Sequence, residues 1–411
     1  MNSNRFSLLT TLAWRNLWRH PKRTIVILFA IMLGIWFMIV SAGMMVGIME
    51  QQVRDTIYNL TGHIQLHHQK YLDDPAIEHS MAAPDEALQQ LLDDPLIKTW
   101  SPRVRLPAIT MSERESAGVF LLGINPEAEK GLSFIGNPVV EGRGLESVTD
   151  KGIVIGQRMA EKLETRIGKR IVLMAQGKDG EVADRGFRIV GLYRAELEAT
   201  ETAYVFIGLE TAQQLLGMEG EISEISLITN DRELLVPLVE RLRSNNPQLD
   251  IKSWEELQPF IVTALKVYDS FMLIWYLIIF AAMAFGLTNT LLMSVFERTR
   301  EIGLFQALGM QPRFIIGQVL IETLILLLAG AILGNLSGWF TTNIIFAGGI
   351  DLSQYAQGME TFKMSSIMEF KLELNDLITI NLLVIILGLL SSLYPAVKAA
   401  RYVPVEAITR N

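Results

Sequence analysis

The sequence predicts a membrane protein with four transmembrane α-helices and one large mixed α/β domain outside the bilayer, divided into two subdomains. Three observations lead there. Four windows are apolar and long enough to cross about 30 Å of hydrocarbon, which takes roughly 20 helical residues. They are Thr24–Met49, Phe271–Val295, Phe314–Phe346 and Leu377–Tyr394. Half of the 411 residues are hydrophobic and the mean hydropathy is +0.30, yet 19% are charged, more than spans alone would carry. Finally, a long segment of mixed polarity, residues 50–270, separates the first two windows.

Residues 1–23 carry Arg5, Arg15, Arg19, Lys22 and Arg23 with no acidic residue, so they read as a cytoplasmic amphipathic segment. The first span (24–49) is too long for the apolar core of a signal peptide, and no small-x-small cleavage site follows it, so it is read as retained. The connection between the second and third spans carries Arg298, Arg300 and Arg313, and the tail after the fourth carries Lys398, Arg401 and Arg410. All these basic groups fall on one side of a four-span chain, which makes that side cytoplasmic. The loop 347–376 is acidic and belongs outside, as does the segment 50–270.

Within that outer segment, Gln51–Asn59 continues the first span as a polar stalk. Alternating positions then predict strands at 61–68, 103–111 and 118–124, a short apolar run predicts one at 152–155, and strands are also read at 170–175, 187–193, 203–208, 224–229 and 250–253. Helical spacing falls at 85–92, 157–163, 209–216 and 232–244, and 254–268 forms the returning stalk. The second span is 271–295. Residues 296–313, with 314–346 as the third span beyond them, form a short charged segment between two spans and so lie at a membrane face. Ile302, Phe305 and Leu308 recur at three residues and share one helical face, leaving Glu297, Arg298, Arg300 and Glu301 for a soluble partner. The fourth span is 377–394 and the cytoplasmic tail 395–411.

Several chemistries are excluded. A net charge of −8 with no basic patch interleaved with aromatics is not a nucleic-acid signature. There is no cysteine, hence no disulfide and no thiol chemistry. No phosphate-cradling G-x-x-x-x-G-K-[ST] string is present, so the chain is read as non-catalytic toward ATP. His63 and His67 share a strand face, but a polar strand-to-loop passage accounts for them and for His68 and His79, and no metal site is assigned. Gly43 and Gly47 in the first span and Gly330, Gly334 and Gly338 in the third are spaced by four, the pattern of a close helix-packing seam. Glu322, a carboxylate inside the third span, calls for an ion-pair partner such as Arg298 or Arg300.

Several strings resemble the MacB/LolC/FtsX type of ABC-transporter permease. Ala13-Trp14-Arg15-Asn16-Leu17 with Arg23-Thr24 is similar to the entry of the first span in that family. Glu297-Arg298-Thr299-Arg300-Glu301-Ile302-Gly303, Ala307-Leu308-Gly309 and Glu322 resemble its coupling helix and third span. Tyr394-Pro395-Ala396, Ala399-Ala400-Arg401 and Pro404-Val405-Glu406-Ala407 resemble its C-terminal signature. Gly152-Ile153-Val154-Ile155-Gly156, with Ala160, Leu163 and Gly168, resembles the core of its periplasmic domain.

The resemblance implies a bacterial inner-membrane subunit with both termini cytoplasmic and a periplasmic α/β domain. Its partners would be an ABC ATPase dimer, which holds the ATP and Mg, a second permease copy or paralogue, membrane lipid, and a periplasmic carrier or adaptor. It implies ATPase coupling through Glu297, Arg298, Arg300, Glu301, Ile302, Leu304, Phe305, Leu308 and Gly309. It also implies a cavity for a lipid-linked substrate framed by the first two spans, with Met38, Met45, Phe271, Met272 and Trp275 as candidates on an adaptable Met-rich and aromatic surface. MacB-type chains carry a fused ATPase and FtsX-type chains a smaller outer domain, so the layout is closest to lipoprotein-releasing LolC/LolE-like permeases. Three outputs follow from the family: mechanotransmission that extracts a lipoprotein or other amphiphile, an ATP-gated lever that activates a periplasmic enzyme, or efflux with a periplasmic adaptor. Neighbouring genes separate them: a carrier, a hydrolase, or an adaptor with an outer-membrane duct.

Overall fold

The computed structural model describes residues 11, 13–195, 198–231, 234–351 and 367–401. The described residues fall into two units, one within 1–50, 265–354 and 366–411, the other within 51–264.

The first unit is built on four long helices, Pro21–Thr56, Pro259–Glu297, Pro312–Phe340 and Leu374–Ala400, all apolar enough to cross a bilayer. Three of them start on a proline, some residues before the apolar windows begin. Proline suits the first helical position because its ring presets φ and no N–H is needed there. The helices bury one stripe each: Ile31, Ile35, Met38 and Ile39 from the first, Tyr276, Phe280, Met283 and Leu287 from the second, Leu326, Leu327 and Ala331 from the third, Ile380 and Val384 from the fourth. Their outer faces remain apolar, with Phe29, Leu33, Leu277, Phe285, Leu336 and Ile386 exposed, as in membrane-spanning helices.

The fourth helix runs through Pro395 to Ala400, six residues beyond the boundary read at Tyr394. Packing decides this: Ala396, Ala399 and Ala400 are buried against Val295, Ile315 and Val319. The third ends in a π-turn at Thr341–Ile345. The string Pro404–Ala407 lies outside the described residues.

Among the described residues the second unit carries twelve strands: β1 Ile64–His68, β2 Met81–Ala82, β3 Ile97–Met111, β4 Ser116–Ile124, β5 Glu141–Gly142, β6 Gly152–Gly156, β7 Arg170–Gln176, β8 Val182–Tyr193, β9 Tyr204–Gly208, β10 Glu221–Ile222, β11 Glu224–Thr229 and β12 Leu249–Ser253. Pairings β3–β4, β4–β9, β9–β6, β6–β8, β8–β7 and β7–β3 run in a closed ring. Residues at every second position point into it, including Val104 and Leu106, Val119 and Leu121, Ile153 and Ile155, Ile171 and Leu173, Phe187 and Ile189, and Val205 and Ile207. This barrel is one subdomain.

The other is an antiparallel sheet in the order β12-β1-β11-β3. Helix Glu86–Leu92, capped by the Asp85 side chain accepting from the Leu88 N–H at 2.8 Å, and helix Leu235–Asn245 accompany it. The two subdomains share β3. Its first half, Ile97–Arg103, pairs with β11, and its second, Val104–Met111, with β4. The sequence pattern shows only the second half, because Pro102 and the polar residues before it mask the strand.

The stalks also end differently from the sequence reading. The first helix stops at Thr56, and Asn59 and Leu60 leave helical geometry, Leu60 with φ +72°. The returning segment is a short helix Trp254–Leu257, opened by a capping box between Ser253 and Glu256, and Pro259 starts a new helix.

Candidate functional site

The segment between the second and third spans folds as a helix, Thr299–Ala307. Arg298 (φ −103°, ψ 12°) breaks it from the preceding helix, and Gly309 at φ +91° turns the chain away, a conformation that suits glycine. One side of this helix is attached to the spans. Gly303 and Thr299 are buried, Ile302 packs on the cluster of Val295, Ile315 and Ala396, and the Gln306 side chain donates to the Ala400 carbonyl at 3.1 Å.

The opposite side presents Arg300, Leu304 and Leu308, successive at four residues, with the leucines 52% and 77% exposed. The apolar triad read from spacing is therefore divided. Ile302 and Phe305 are half-buried, and Leu308 joins Leu304 on the free face. The charges are divided too. Glu301 pairs with Arg19, Glu297 with Arg23, and Arg298 with Glu322, so these three serve internal contacts rather than standing free for a soluble partner. Arg300 is exposed and makes no ion pair among the described residues.

The Arg298–Glu322 pair is buried, at 3.1 Å. Asn16 completes it: its side-chain amide donates to Glu322 at 2.7 Å, and its carbonyl accepts from Arg298 at 2.8 Å. A carboxylate at this depth is costly unless so satisfied. The Arg-Asn-Leu string before the first span thus has a structural sense, since Asn16 ties the N-terminal segment to the second and third spans.

The glycines line seams. A Cβ placed on Gly330, Gly334 or Gly338 would come within 2.5–2.7 Å of Ile31, Ile35 or Ile39 respectively, so the first and third spans touch along matched four-residue steps. Gly43 and Gly47 lie instead against residues 369–372, and the Gly43 carbonyl accepts from the Lys371 N–H at 2.9 Å. Asn335 and Asn381 exchange side-chain hydrogen bonds at 2.8 and 3.0 Å, joining the third span to the fourth.

Of the residues read as a substrate cavity, Met38 is fully buried in the helix core. A long apolar side chain three residues from Ile35, four from Ala42 and seven from Ile31 falls on the packed stripe. Met272 is half-buried against the same core, and Met45 and Trp275 are half-buried. Phe271 is exposed and stacks on Trp275 with ring centres 6.5 Å apart, and Phe37 sits 6.4 Å from the same indole. These three rings form an aromatic surface shared by the first two spans.

In the second unit a buried charge cluster, unmarked by the sequence reading, holds the point where the first stalk meets the sheet. Arg103 is fully buried. It donates to both oxygens of Glu129 (2.7 and 2.9 Å), to Glu224 (3.2 Å) and to the carbonyl of Leu60 (2.6 Å). Burial pushes the Glu224 carboxyl up, but Arg105 and Arg103 outweigh it and hold the group below its ordinary range. Burial lowers His67, against the pull of Glu224 4.0 Å away. The signal in sequence was Arg103 and Arg105 alternating with Val104 and Leu106, two charges at strand spacing where one face should be solvent. His63 is used by Thr229, whose N–H donates to Nδ1 at 2.9 Å, and His68 stacks on His79. Among the described residues no group of three His, Asp or Glu is placed to hold a metal.

Two family models match: a MacB-like periplasmic core domain over residues 24–245, and an FtsX-like permease C-terminal region over residues 273–404. The chain is 24% identical to the lipoprotein-releasing system transmembrane protein LolE of Haemophilus influenzae, over 97% of this chain and 99% of that one. It is 22% identical to LolC of Xylella fastidiosa, over 93% of this chain and 92% of that one. The periplasmic region of MacB from Actinobacillus actinomycetemcomitans covers 52% of this chain and 97% of its own at 14% identity, with a TM-score of 0.37. With a MacB-like core followed by an FtsX-like region on four apolar helices, the chain belongs to the MacB/LolC/FtsX-type family of ABC-transporter permeases.

Proposed function

We propose that this permease is the membrane subunit of an ATP-driven complex that moves a lipoprotein or another amphiphile at the periplasmic face of the inner membrane. A separate ABC ATPase dimer, carrying ATP and Mg, docks on the exposed stripe of Arg300, Leu304 and Leu308. That stripe is the observation that carries the reading. It is a free apolar face on a helix whose other side is fastened to the second, third and fourth spans, so a push on it reaches them directly. The permease partner is a second copy or a paralogue, and both termini face the cytoplasm, as the basic residues at the span ends support.

The lipoprotein as substrate is supported by alignment with LolE and LolC along nearly the whole chain. The aromatic surface of Phe37, Phe271 and Trp275 suits an acyl chain. The test is mass spectrometry of what co-purifies with the assembled complex in nanodiscs. Acylated protein is expected. A periplasmic hydrolase or adaptor with no acylated species would overturn the substrate assignment. A reporter active only in the periplasm, fused after Pro126, should be active, and the same reporter at Asn411 silent; the reverse would overturn the orientation.

A further inference from the structure

Within the membrane unit a cavity of about 690 Å³ opens between the N-terminal helical segment, the end of the second span, the helix Thr299–Ala307 and the third span. Its floor is polar. Arg298, Glu322 and Asn16 meet there, and the Nε–H of Arg298 is buried with no hydrogen-bond partner. Its walls are apolar, formed by Val295, Ile315 and Val319 among others. Its rim is aromatic and basic. Trp14 and Trp18, four residues apart, are both more than half exposed and meet edge to face at 5.9 Å. Arg15 is exposed between them and makes no ion pair among the described residues, while Arg19 shares its charge with Glu301.

Each of these features asks for the same ligand. Three guanidiniums face the cavity against two carboxylates, and both carboxylates are already engaged, Glu301 by Arg19 and Glu322 by Arg298 and Asn16. Among the described residues Arg15 makes no ion pair and the Arg298 Nε–H has no hydrogen-bond partner. This local positive excess stands on a chain of net charge −8. Indole side chains at the ends of membrane spans settle at headgroup level, and arginine forks match phosphate oxygens. An apolar wall beside a polar floor with unpaired guanidinium donors suits a molecule with both a tail and an anionic head.

We propose that this cavity binds the headgroup of an anionic phospholipid. Arg15 and Arg298 donate to its phosphate, Trp14 and Trp18 flank its glycerol region, and its acyl chains run along the second and third spans. The lining does not include Arg300, Leu304 or Leu308, the stripe given to ATPase docking.

The test uses the full-length protein in nanodiscs of phosphatidylcholine containing a minority of phosphatidylglycerol, followed by native mass spectrometry. One phosphatidylglycerol per chain should be retained in preference to phosphatidylcholine. Arg15→Gln, at an exposed position that the fold does not use, should lower that retention about fivefold, the effect of one guanidinium near an anionic lipid. Arg298→Gln should lower it further, and Arg15→Gln keeps the test valid if that variant fails to fold. Arg313→Gln, at the start of the third span and outside the cavity, should leave it unchanged. Equal loss with Arg313→Gln would mean diffuse surface attraction and overturn the site. Equal retention of phosphatidylcholine would do the same. Displacement of the lipid by inorganic phosphate would reassign the cavity to a free anion.

Discussion

Replacing Arg103 with methionine should be among the most damaging single changes in the periplasmic domain. Methionine fits the volume of the arginine stem but removes four hydrogen bonds at once: two to Glu129, one to Glu224 and one to the Leu60 carbonyl. Glu129 and Glu224 are themselves fully buried. The variant therefore leaves two carboxylates in the interior, with Ser133 on Glu129 and Arg105, 3.7 Å away, on Glu224 as the remaining support. Breaking a buried pair by removing one partner costs about 3–5 kcal/mol, and a domain's whole stability is about 5–15 kcal/mol. The loss should appear as a large fall in the thermal midpoint of the purified chain. The triple variant Arg103→Met, Glu129→Gln, Glu224→Gln should recover part of it, because neutral amides replace the stranded charges. A loss below about 1 kcal/mol for Arg103→Met, in the range of exposed pairs, would refute the claim that this cluster holds the stalk to the sheet.

Leu308→Asp and Leu304→Asp should leave folding within about 0.5 kcal/mol, since both side chains are exposed, and should lower ATPase retention in pull-downs; full retention would remove the stripe as the docking face. Gly334→Ala should destabilise the membrane unit by about 1–3 kcal/mol through overpacking on Ile35, read as a lower unfolding temperature in detergent, whereas Gly317→Ala, with open space around it, should be neutral or slightly stabilising. His67 is held neutral by burial, so below an ordinary histidine pKa of about 6.5 the unfolded chain takes up a proton that the folded chain resists. Stability should fall as pH drops from 7 toward 5, and His67→Gln should flatten that slope in a series of thermal melts; an unchanged slope would exclude His67 as its source.

The four-helix membrane unit and the strands of the outer domain were legible because each rests on local periodicity. Long uncharged runs declare spans, and the short apolar run 152–155 and the strand-like segments 187–193 and 203–208 mark strands whose inward residues line the barrel. Helix ends were less legible, for reasons that lie outside the apolar pattern. Pro21, Pro259 and Pro312 start helices in polar sequence, and Ala399 and Ala400 extend the last one because they meet Val295, Ile315 and Val319 from other spans. The need of Glu322 for a partner could be argued from sequence, since a lone carboxylate in a span demands one, but the choice of Arg298 over Arg300 could not.

Which charges of the coupling segment are free, which of its leucines are exposed, and that Met38 belongs to the core all depend on the rotation of each helix against its neighbours. Spacing along one helix identifies its faces but not what each face meets. Arg103, Glu129 and Glu224 show the same limit most clearly. They lie on a strand, a turn and another strand far apart in sequence, and only pairing of β3 with β11, together with the turn at Leu60, brings their charges into one buried place. A sequence states the period of each element, whereas the partners of a buried charge are decided by where the chain closes on itself.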